Sequence, residues 1–517
     1  MRYLFALLLP ILLLNSCSPQ KKEREDKKRL LLNFQIGDLP SLHPHHLQGP
    51  LRGYTLGKLL YEGLTRLDID QQPRLAGAEE VTISPCNKLY TFKLRPCLWP
   101  DGTDITAYDY ERAWKRGLHP ASDCPRVELF YILKNAERAK KGEVDLDQVG
   151  VRALDSKTLF IELEFPAPYF LSLLSQPIFS PLHFDEVDSE PTLFNGPFVA
   201  DTWEKGDYLL LKANPFFWNS SERNLTSVHI SMITDCNTAT QLFEKKELDW
   251  IGDTLSPIPN EALFSLQQKY NLQERAVVRP FWIYLNTQHP LLQSSMIRKA
   301  LSLAIDRDQI GKHIFLKSTP LEMALPLFFS SFSLNPIEQT QNCQELFRKG
   351  LQELGLKEEG VAEIQLSYFD QIPLKQLAEY LKETWERKFA LSIKLVGGEW
   401  NTFYDKLQKG NFHIGGCYLT PYYDDSTEPL NRISKNSPSN FPKWIHSGYQ
   451  EKLDIAQNTN SSEVRTKALN EAETILNQES PIIPVVNRNM VFIHHPNLRN
   501  YIINHAGCID FSYAYFE

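Results

Sequence analysis

The chain has 517 residues, enough for about two to four domains at roughly 100–200 residues each. Apolar residues make up 42% and charged residues 23%, a composition that excludes both an extended disordered chain and a polytopic membrane protein. The 55 Lys and Arg against 63 Asp and Glu give a net charge of -8, which repels phosphate backbones. We therefore expect no nucleic-acid partner.

The amino terminus carries an export signal. An apolar run at residues 3–14 has the length of a signal-peptide core and is too short to span a bilayer. It ends in Ser16-Cys17, a pattern similar to a bacterial lipobox, in which the cysteine becomes the lipidated first residue. We predict a signal peptide at 1–16, lipidation of Cys17 and a charged tether at 17–29. An ordinary secretory signal with an incidental cysteine would keep the export and lose the anchor.

The first clear strand follows at residues 89–95, where apolar and polar residues alternate. Cys86 and Cys97 flank it, and a disulfide between them is left open. Seven cysteines remain once Cys17 is set aside, and an odd number leaves at least one thiol unpaired.

Capping residues and apolar spacing predict helices. Thr106, with Asp109 three residues later, is typical of a helix start. Ser295 begins a second helix, and Asp306 caps a third. The apolar face of the helix from Ser295 consists of Ile297, Ala300, Leu301, Ala304 and Ile305.

From residue 361 to 419 the pattern alternates between periods of two and about 3.6 residues. It predicts strand, helix, strand, helix, strand, the order typical of crossover connections in an α/β sheet.

The chain contains no motif for a catalytic nucleophile, a phosphate-binding loop, a dinucleotide fold or a zinc site, so we predict no enzyme and no cofactor. A metal held by His43, His45 and His46 is the alternative, but Pro44 forces an extended kink between them. Aromatic residues make up 11% and could line a sugar cleft, although such residues are more often core.

Several segments together resemble the bacterial oligopeptide-binding proteins of ABC transporters, extracellular solute-binding protein family 5. These segments are residues 37–45, 60–65, 89–102, 214–219 and 284–308. They occur in the family's order along the whole mature chain. The resemblance also explains His43, which stands where relatives carry Asp in a Ser-Leu-Asp-Pro turn.

The resemblance implies an α/β, two-lobed fold of the periplasmic-binding-protein type, in its large three-domain class, with hinge closure over the ligand. Domain II and domain III each occupy one segment, and domain I is discontinuous. The implied segments are 30–60, 186–278 and 485–517 for domain I, 61–185 for domain II and 279–484 for domain III.

The resemblance also implies which residues contact the ligand. In relatives the ligand is clamped by a loop near the start of the mature chain, here Gln48-Gly49-Pro50, and by a stretch matching 415–425. Pro50 has no N–H, so this loop can donate one main-chain hydrogen bond fewer to the ligand. The contact residues implied on the third-domain side are Trp400, Gly416, Cys417, Tyr418, Leu419, Tyr422, Asp424 and Asp425.

The stretch matching 415–425 departs from the family pattern at the residue that binds the α-ammonium group of the peptide. Relatives carry Gly-Trp-x-x-Asp-Tyr, in which the Asp pairs with the α-ammonium of the peptide. An ungapped match places Tyr422 at that position, with Asp424 and Asp425 two and three residues further on as substitutes. A match that slips by a residue or two is the alternative.

The carboxylate end also departs from the pattern. Positive residues that receive the peptide carboxylate in relatives match Gly416, Leu407 and Leu374 here. A tyrosine of the second-domain wall matches Arg126, which becomes a candidate carboxylate partner.

The function implied is that of a monomeric lipoprotein receptor, anchored on the periplasmic or cell-surface face of an inner membrane. It would bind short peptides and deliver them to the subunits of an ABC permease. A murein-peptide receptor is an alternative, because relatives that bind murein tripeptide also lack an Arg at the Leu407 position. Nickel or sugar binding on the same fold, and a secreted hydrolase on an unfamiliar scaffold, are the others.

Overall fold

A computed structural model describes residues 28–35, 39–47, 49–184, 190–329, 342–357 and 363–517. The predicted signal peptide, Cys17 and Gln48 lie outside the described residues. Within those ranges, no helix combines the length and the apolar character needed to cross a membrane.

Two lobes make up the structure, and among the described residues the first contains three sheets of three or four strands. One hydrophobic core runs through most of this lobe, from Leu30 and Phe34 through Trp114 to Phe511. The amino-terminal sheet consists, in spatial order, of Arg29–Asn33, Ser227–Ser231, Tyr208–Ala213 and Phe198–Glu204. The insert sheet consists of Ala78–Ile83, Leu89–Leu94, Thr158–Glu162 and Val151–Asp155. The small sheet consists of Trp250–Gly252, Met490–His494 and Gln273–Arg275.

The second lobe is built on the six-stranded central sheet. In spatial order its strands are Ser318–Pro320, Ile482–Arg488, Pro280–Leu285, Ile414–Tyr418, Ile364–Phe369 and Ile393–Gly398. Side chains alternate across the strand Pro280–Leu285, so Phe281 and Ile283 enter one hydrophobic core while Trp282 and Tyr284 enter another on the opposite face. Both faces are buried, which is why this strand reads as a continuous apolar run.

Helices cover these sheets, and short strand pairs complete the fold. The helices are Tyr54–Leu60, Ala107–Leu118, Ala136–Lys140, Phe170–Leu173, Cys236–Glu244, Asn260–Lys269, Ser295–Leu303, Arg307–His313, Cys343–Glu353, Ile372–Phe389, Trp400–Lys409, Thr427–Asn431, Ser447–Asn458 and Ser462–Glu479. The short pairs join Thr65–Leu67 to Pro73–Leu75, Leu498–Arg499 to Tyr515–Phe516, and Ile502–Ile503 to Ile509–Asp510.

The predicted helix starts are confirmed. The Asp109 carboxylate accepts a hydrogen bond from the Thr106 N–H at 2.8 Å and closes a capping box. The Asp306 carboxylate accepts from the Gln309 N–H at 3.0 Å and begins the helix Arg307–His313.

The predicted strand–helix alternation is confirmed as well. The strand Ile364–Phe369 pairs in parallel with both Ile393–Gly398 and Ile414–Tyr418, and the helices Ile372–Phe389 and Trp400–Lys409 connect them. Parallel neighbours require such crossovers, so the α/β class follows directly from the pattern.

Cys86 and Cys97 both carry free thiols, so the disulfide between them that the sequence left open does not form. The Cys86 sulfur instead lies 3.1 Å from the Ser84 hydroxyl. The histidine cluster forms a turn in which the His46 N–H donates to the His43 carbonyl at 2.9 Å. In the described ranges no group of three or more His, Cys, Asp or Glu converges on a metal site.

Two crossing segments join the lobes: residues 276–279, which lead from the small sheet to the central sheet, and residues 487–489, which comprise the end of the central-sheet strand Ile482–Arg488 and the residue after it. The Asn487 side chain ties them together, because its Oδ1 accepts from the Arg279 N–H at 2.9 Å and its Nδ2 donates to the Val277 carbonyl at 2.8 Å. The chain therefore leaves the first lobe, builds the second and returns.

Candidate ligand-binding cleft

The lobes meet at the clamp loop, residues 419–426, which follows the central-sheet strand Ile414–Tyr418. Gln176 of the first lobe donates a short hydrogen bond from its side-chain amide to the Tyr422 carbonyl. The neighbouring Tyr423 ring stacks on Tyr169 of the first lobe, with 4.5 Å between ring centroids. These contacts hold the clamp loop against the opposite lobe.

Tyr422 lies at the centre of a group of charged side chains that we call the clamp cluster: Arg126, Glu128, Tyr422, Glu428 and Arg432. The guanidinium carbons of Arg126 and Arg432 lie 5.3 Å and 5.1 Å from the Tyr422 ring centroid. Both are within range of cation–π attraction.

The charges of the clamp cluster balance. Arg432 pairs with Glu428 at 2.5 Å and also donates to the Thr420 carbonyl at 2.8 Å. Burial raises the pKa of Glu428, and the Arg432 charge opposes that rise. Glu128 lies near both Arg126 and Arg432. Two carboxylates thus face two guanidinium groups.

A second group, the hinge cluster, lies where the crossing segments join the lobes: Arg52, Asp253, Arg279, Tyr418 and Arg488. The two carboxylate oxygens of Asp253 lie 3.7 Å from Arg279 and 3.4 Å from Arg488. Arg52 donates to the Leu255 carbonyl at 3.3 Å, and burial lowers its pKa to about 10. The Tyr418 phenol is next to Arg488.

Asp424 and Asp425 face away from the clamp cluster. The Asp425 carboxylate pairs with Arg465 at 2.6 Å and accepts from the Thr427 N–H at 2.9 Å. Asp424 is exposed, and both aspartates border a separate cleft of about 340 Å³ that Tyr169 also lines. Partial desolvation by the surrounding residues, together with the Asp425 charge, raises the pKa of Asp424.

Several of the other residues that the resemblance implies as ligand contacts are buried inside the second lobe instead. Leu407 is fully buried in a hydrophobic core, and Leu374 packs inside another, so neither side chain faces a ligand. Gly416 lies against the Phe281 ring, and the buried Cys417 thiol is 3.9 Å from the Tyr284 hydroxyl.

The remaining residues divide between the core, the surface and the start of a turn. Leu419 is buried, whereas Trp400 is 40% exposed and stacks on Tyr404 at 5.3 Å between centroids. Gly49 and Pro50 begin a π-helical turn, Gly49–Gly53, that carries Arg52 into the hinge cluster.

The structure thus brings Arg126, Tyr418 and Tyr422 to the junction of the lobes. Sequence reasoning missed Arg52, Asp253, Arg279 and Arg488, and the acid–base partners in the clamp cluster. The sequence did contain a signal for two of these arginines. Arg279 directly precedes the apolar strand Pro280–Leu285, and Arg488 is the last residue of the strand Ile482–Arg488.

Two lobes, joined by two crossing segments and lined with charged side chains at their junction, define a ligand-binding protein of the two-lobed receptor class. The family described as "Bacterial extracellular solute-binding proteins, family 5 Middle" matches residues 72–441. The chain belongs to this family.

Relatives and solved structures agree with that assignment. The chain is 29% identical to the oligopeptide-binding protein OppA of Bacillus subtilis, over 96% of this chain and 94% of the relative. It is 29% identical to the dipeptide-binding protein DppE of the same organism, over 88% and 86%. Its fold is similar to that of the Escherichia coli murein tripeptide binding protein MppA, with a TM-score of 0.83, 23% identity and coverage of 95% and 99%.

Proposed function

We propose that the protein is a receptor for short peptides. The observation that carries this proposal is the convergence of charged and hydrogen-bonding groups from both lobes on the clamp loop, with Gln176 and Arg126 on one side and Arg432 on the other. A peptide offers amides and charged ends that such a lining can satisfy. The relatives named for oligopeptide and dipeptide binding support the same ligand class.

Binding would use the backbone of the ligand more than its side chains. An extended peptide lies beside the clamp loop and forms main-chain hydrogen bonds with it, while water fills the space around its side chains. Closure of the lobes about the crossing segments encloses the peptide. Selectivity for side chains is then broad, and no catalytic step is needed.

The receptor delivers its peptide to the subunits of an ABC permease. Lipidated Cys17 holds it at the periplasmic or cell-surface face of the inner membrane, as a monomer. The charged segment that precedes the strand Arg29–Asn33 serves as the tether in this proposal, because a run of mixed charges favours solvation over burial.

A murein-peptide receptor is the second candidate. Its support is a relative named for murein peptide binding, MppA of Escherichia coli, which is 24% identical over 88% of this chain and 87% of the relative. Arg126, at the clamp loop, is the candidate partner for a carboxylate of such a ligand.

Native mass spectrometry of protein purified without denaturation tests the proposal. We expect a bound species that is released on denaturation and fragments as a peptide. Incubation with synthetic tripeptides followed by mass spectrometry should recover them intact. Cleaved peptide would instead favour a hydrolase, and a retained sugar or nickel ion would overturn the peptide assignment.

A further inference from the structure

The hinge cluster is unbalanced in charge. It holds three guanidinium groups, of Arg52, Arg279 and Arg488, and the carboxylate of Asp253 faces them all. Among the residues that the structure describes, two positive charges therefore remain in excess. Asp253 and Arg279 are 5% and 10% exposed in their side chains, so bulk water does little to solvate them. An uncompensated charge in such a place destabilises the folded protein.

Arg279 also has hydrogen-bond donors that lack acceptors among the described residues. Within the described residues, its Nε and Nη1 atoms are buried and have no hydrogen-bond acceptor. Its approach to Asp253, at 3.7 Å, is too long for a hydrogen bond. A buried guanidinium offers up to five N–H donors in a planar fork, a geometry that matches a carboxylate.

The hinge cluster is close to the clamp cluster. The Arg126 side chain of the clamp cluster donates to the Leu47 carbonyl at 3.1 Å, and Leu47 precedes Arg52 of the hinge cluster by five residues. Tyr418, beside Arg488, is the last residue of the strand that leads into the clamp loop. A ligand lying along the clamp loop would therefore reach the arginines.

We infer that the hinge cluster is a subsite for an anionic group of the ligand, a carboxylate held by the free N–H groups of Arg279 with Arg52 and Arg488 beside it. This inference rests on the proposed peptide receptor. The carboxylate supplies the negative charge that the cluster lacks and satisfies the buried donors. It comes from an acidic side chain or from the carboxyl terminus of the peptide.

Calorimetry with matched tripeptides tests the inference. One set places Glu at each position of an otherwise all-Ala tripeptide, and its partner set carries Gln at the same position. A third set has the carboxyl terminus amidated. The proteins are the wild type, Arg279→Gln, Arg488→Gln and the control Arg275→Gln, which removes an exposed charge on the neighbouring strand.

We expect the wild type and the control to bind one charged form at least about tenfold more tightly than its neutral counterpart. A Glu-over-Gln preference identifies a side chain, and a free-over-amidated preference identifies the terminus. Arg279→Gln should lose most of that preference. It should also keep or raise the melting temperature of the ligand-free protein, because it removes a repelled charge.

Equal affinity for charged and neutral forms from both sources would overturn the inference and leave the peptide receptor standing. A preference that survives in both Arg279→Gln and Arg488→Gln would overturn it too. Arg488→Gln decides the question if Arg279→Gln does not fold. Absence of binding by every peptide would overturn the inference together with the proposed function.

Discussion

Tyr422 changes the chemistry of the cleft through a single side chain. Its ring lies between the guanidinium groups of Arg126 and Arg432, whose charges are matched by Glu128 and Glu428. The resemblance places an ammonium-binding Asp at this position in relatives. A neutral phenol at this position cannot form an ion pair with the ammonium group of a peptide. Asp425 is already paired with Arg465.

We predict that acetylating the amino terminus of a bound peptide costs less than about 1.4 kcal/mol, a tenfold change in Kd. A site with a dedicated carboxylate would lose far more, because its buried charge would stay unpaired. Calorimetry with free and acetylated forms of one peptide measures the difference. A loss above about a hundredfold that disappears in Asp424→Asn would show that Asp424 is the anchor.

A second residue governs the pH dependence of stability. Glu473 is 2% exposed, its Oε1 accepts from the Leu325 N–H at 3.0 Å, and burial raises its pKa from 4.5 to about 7. The stability that the protonated carboxyl contributes is complete below the unfolded pKa and is lost as the pH rises through about 7.

Glu473→Gln should therefore raise the free energy of unfolding at pH 8 by up to about 3 kcal/mol and change it little at pH 4. Urea denaturation at both values measures this. Glu471→Gln, a partly exposed position on the same helix that pairs with Lys452, is the control and should show no such gain. Equal effects of the two substitutions at pH 8 would contradict the assignment.

At the scale of elements, one buried side chain links the two crossing segments. Asn487 satisfies the Arg279 N–H and the Val277 carbonyl at once and is 2% exposed. The same segment then places Arg488 in the hinge cluster. The backbone that joins the lobes and the charges that face the cleft are thus positioned by the same residues.

Asn487→Ala should destabilise the protein by about 2–4 kcal/mol, because two buried backbone groups lose their partners. The midpoint of urea unfolding measures the loss. Asn489→Ala, which removes a surface hydrogen bond to Glu274 two residues further on, should cost less than about 1 kcal/mol. A similar loss in both variants would show that Asn487 is not the specific link.

Local sequence patterns predicted the helices and strands well. Ion pairs between residues far apart in the sequence could not be predicted in this way. The caps at Asp109 and Asp306 depend on residues three positions apart, so the sequence alone identifies them. The pairing of Asp425 with Arg465, and of Asp253 with Arg279, joins residues that only the fold brings together. The ligand residues taken from the resemblance therefore carried no information about which charges were already paired.

At the scale of the whole molecule, the second lobe is inserted into the first between the crossing segments. The chain enters it at Pro280 and leaves it at Arg488. Two connections of this kind permit rotation of one lobe against the other, which is how a ligand would enter. The predicted domain boundaries at 278/279 and 484/485 remain a prediction.

Attachment to the membrane is a separate prediction, because Cys17 lies outside the described residues. Cys17→Ser should abolish incorporation of labelled palmitate and release the protein from the membrane fraction. Cys86→Ser, at an exposed free thiol, is the matched control and should keep the label. Unchanged labelling of Cys17→Ser would exclude the lipid anchor.

The central claim is that the closed cleft binds short peptides, and the melting temperature in the presence of ligands tests it most directly. A ligand bound only by the native state stabilises it by RT ln(1 + [L]/Kd), about 2.7 kcal/mol at a hundredfold excess over Kd. We predict that a pool of peptides of about two to five residues raises the melting temperature, whereas nickel and maltodextrins leave it unchanged. A shift with nickel or maltodextrins and none with peptides would contradict the claim.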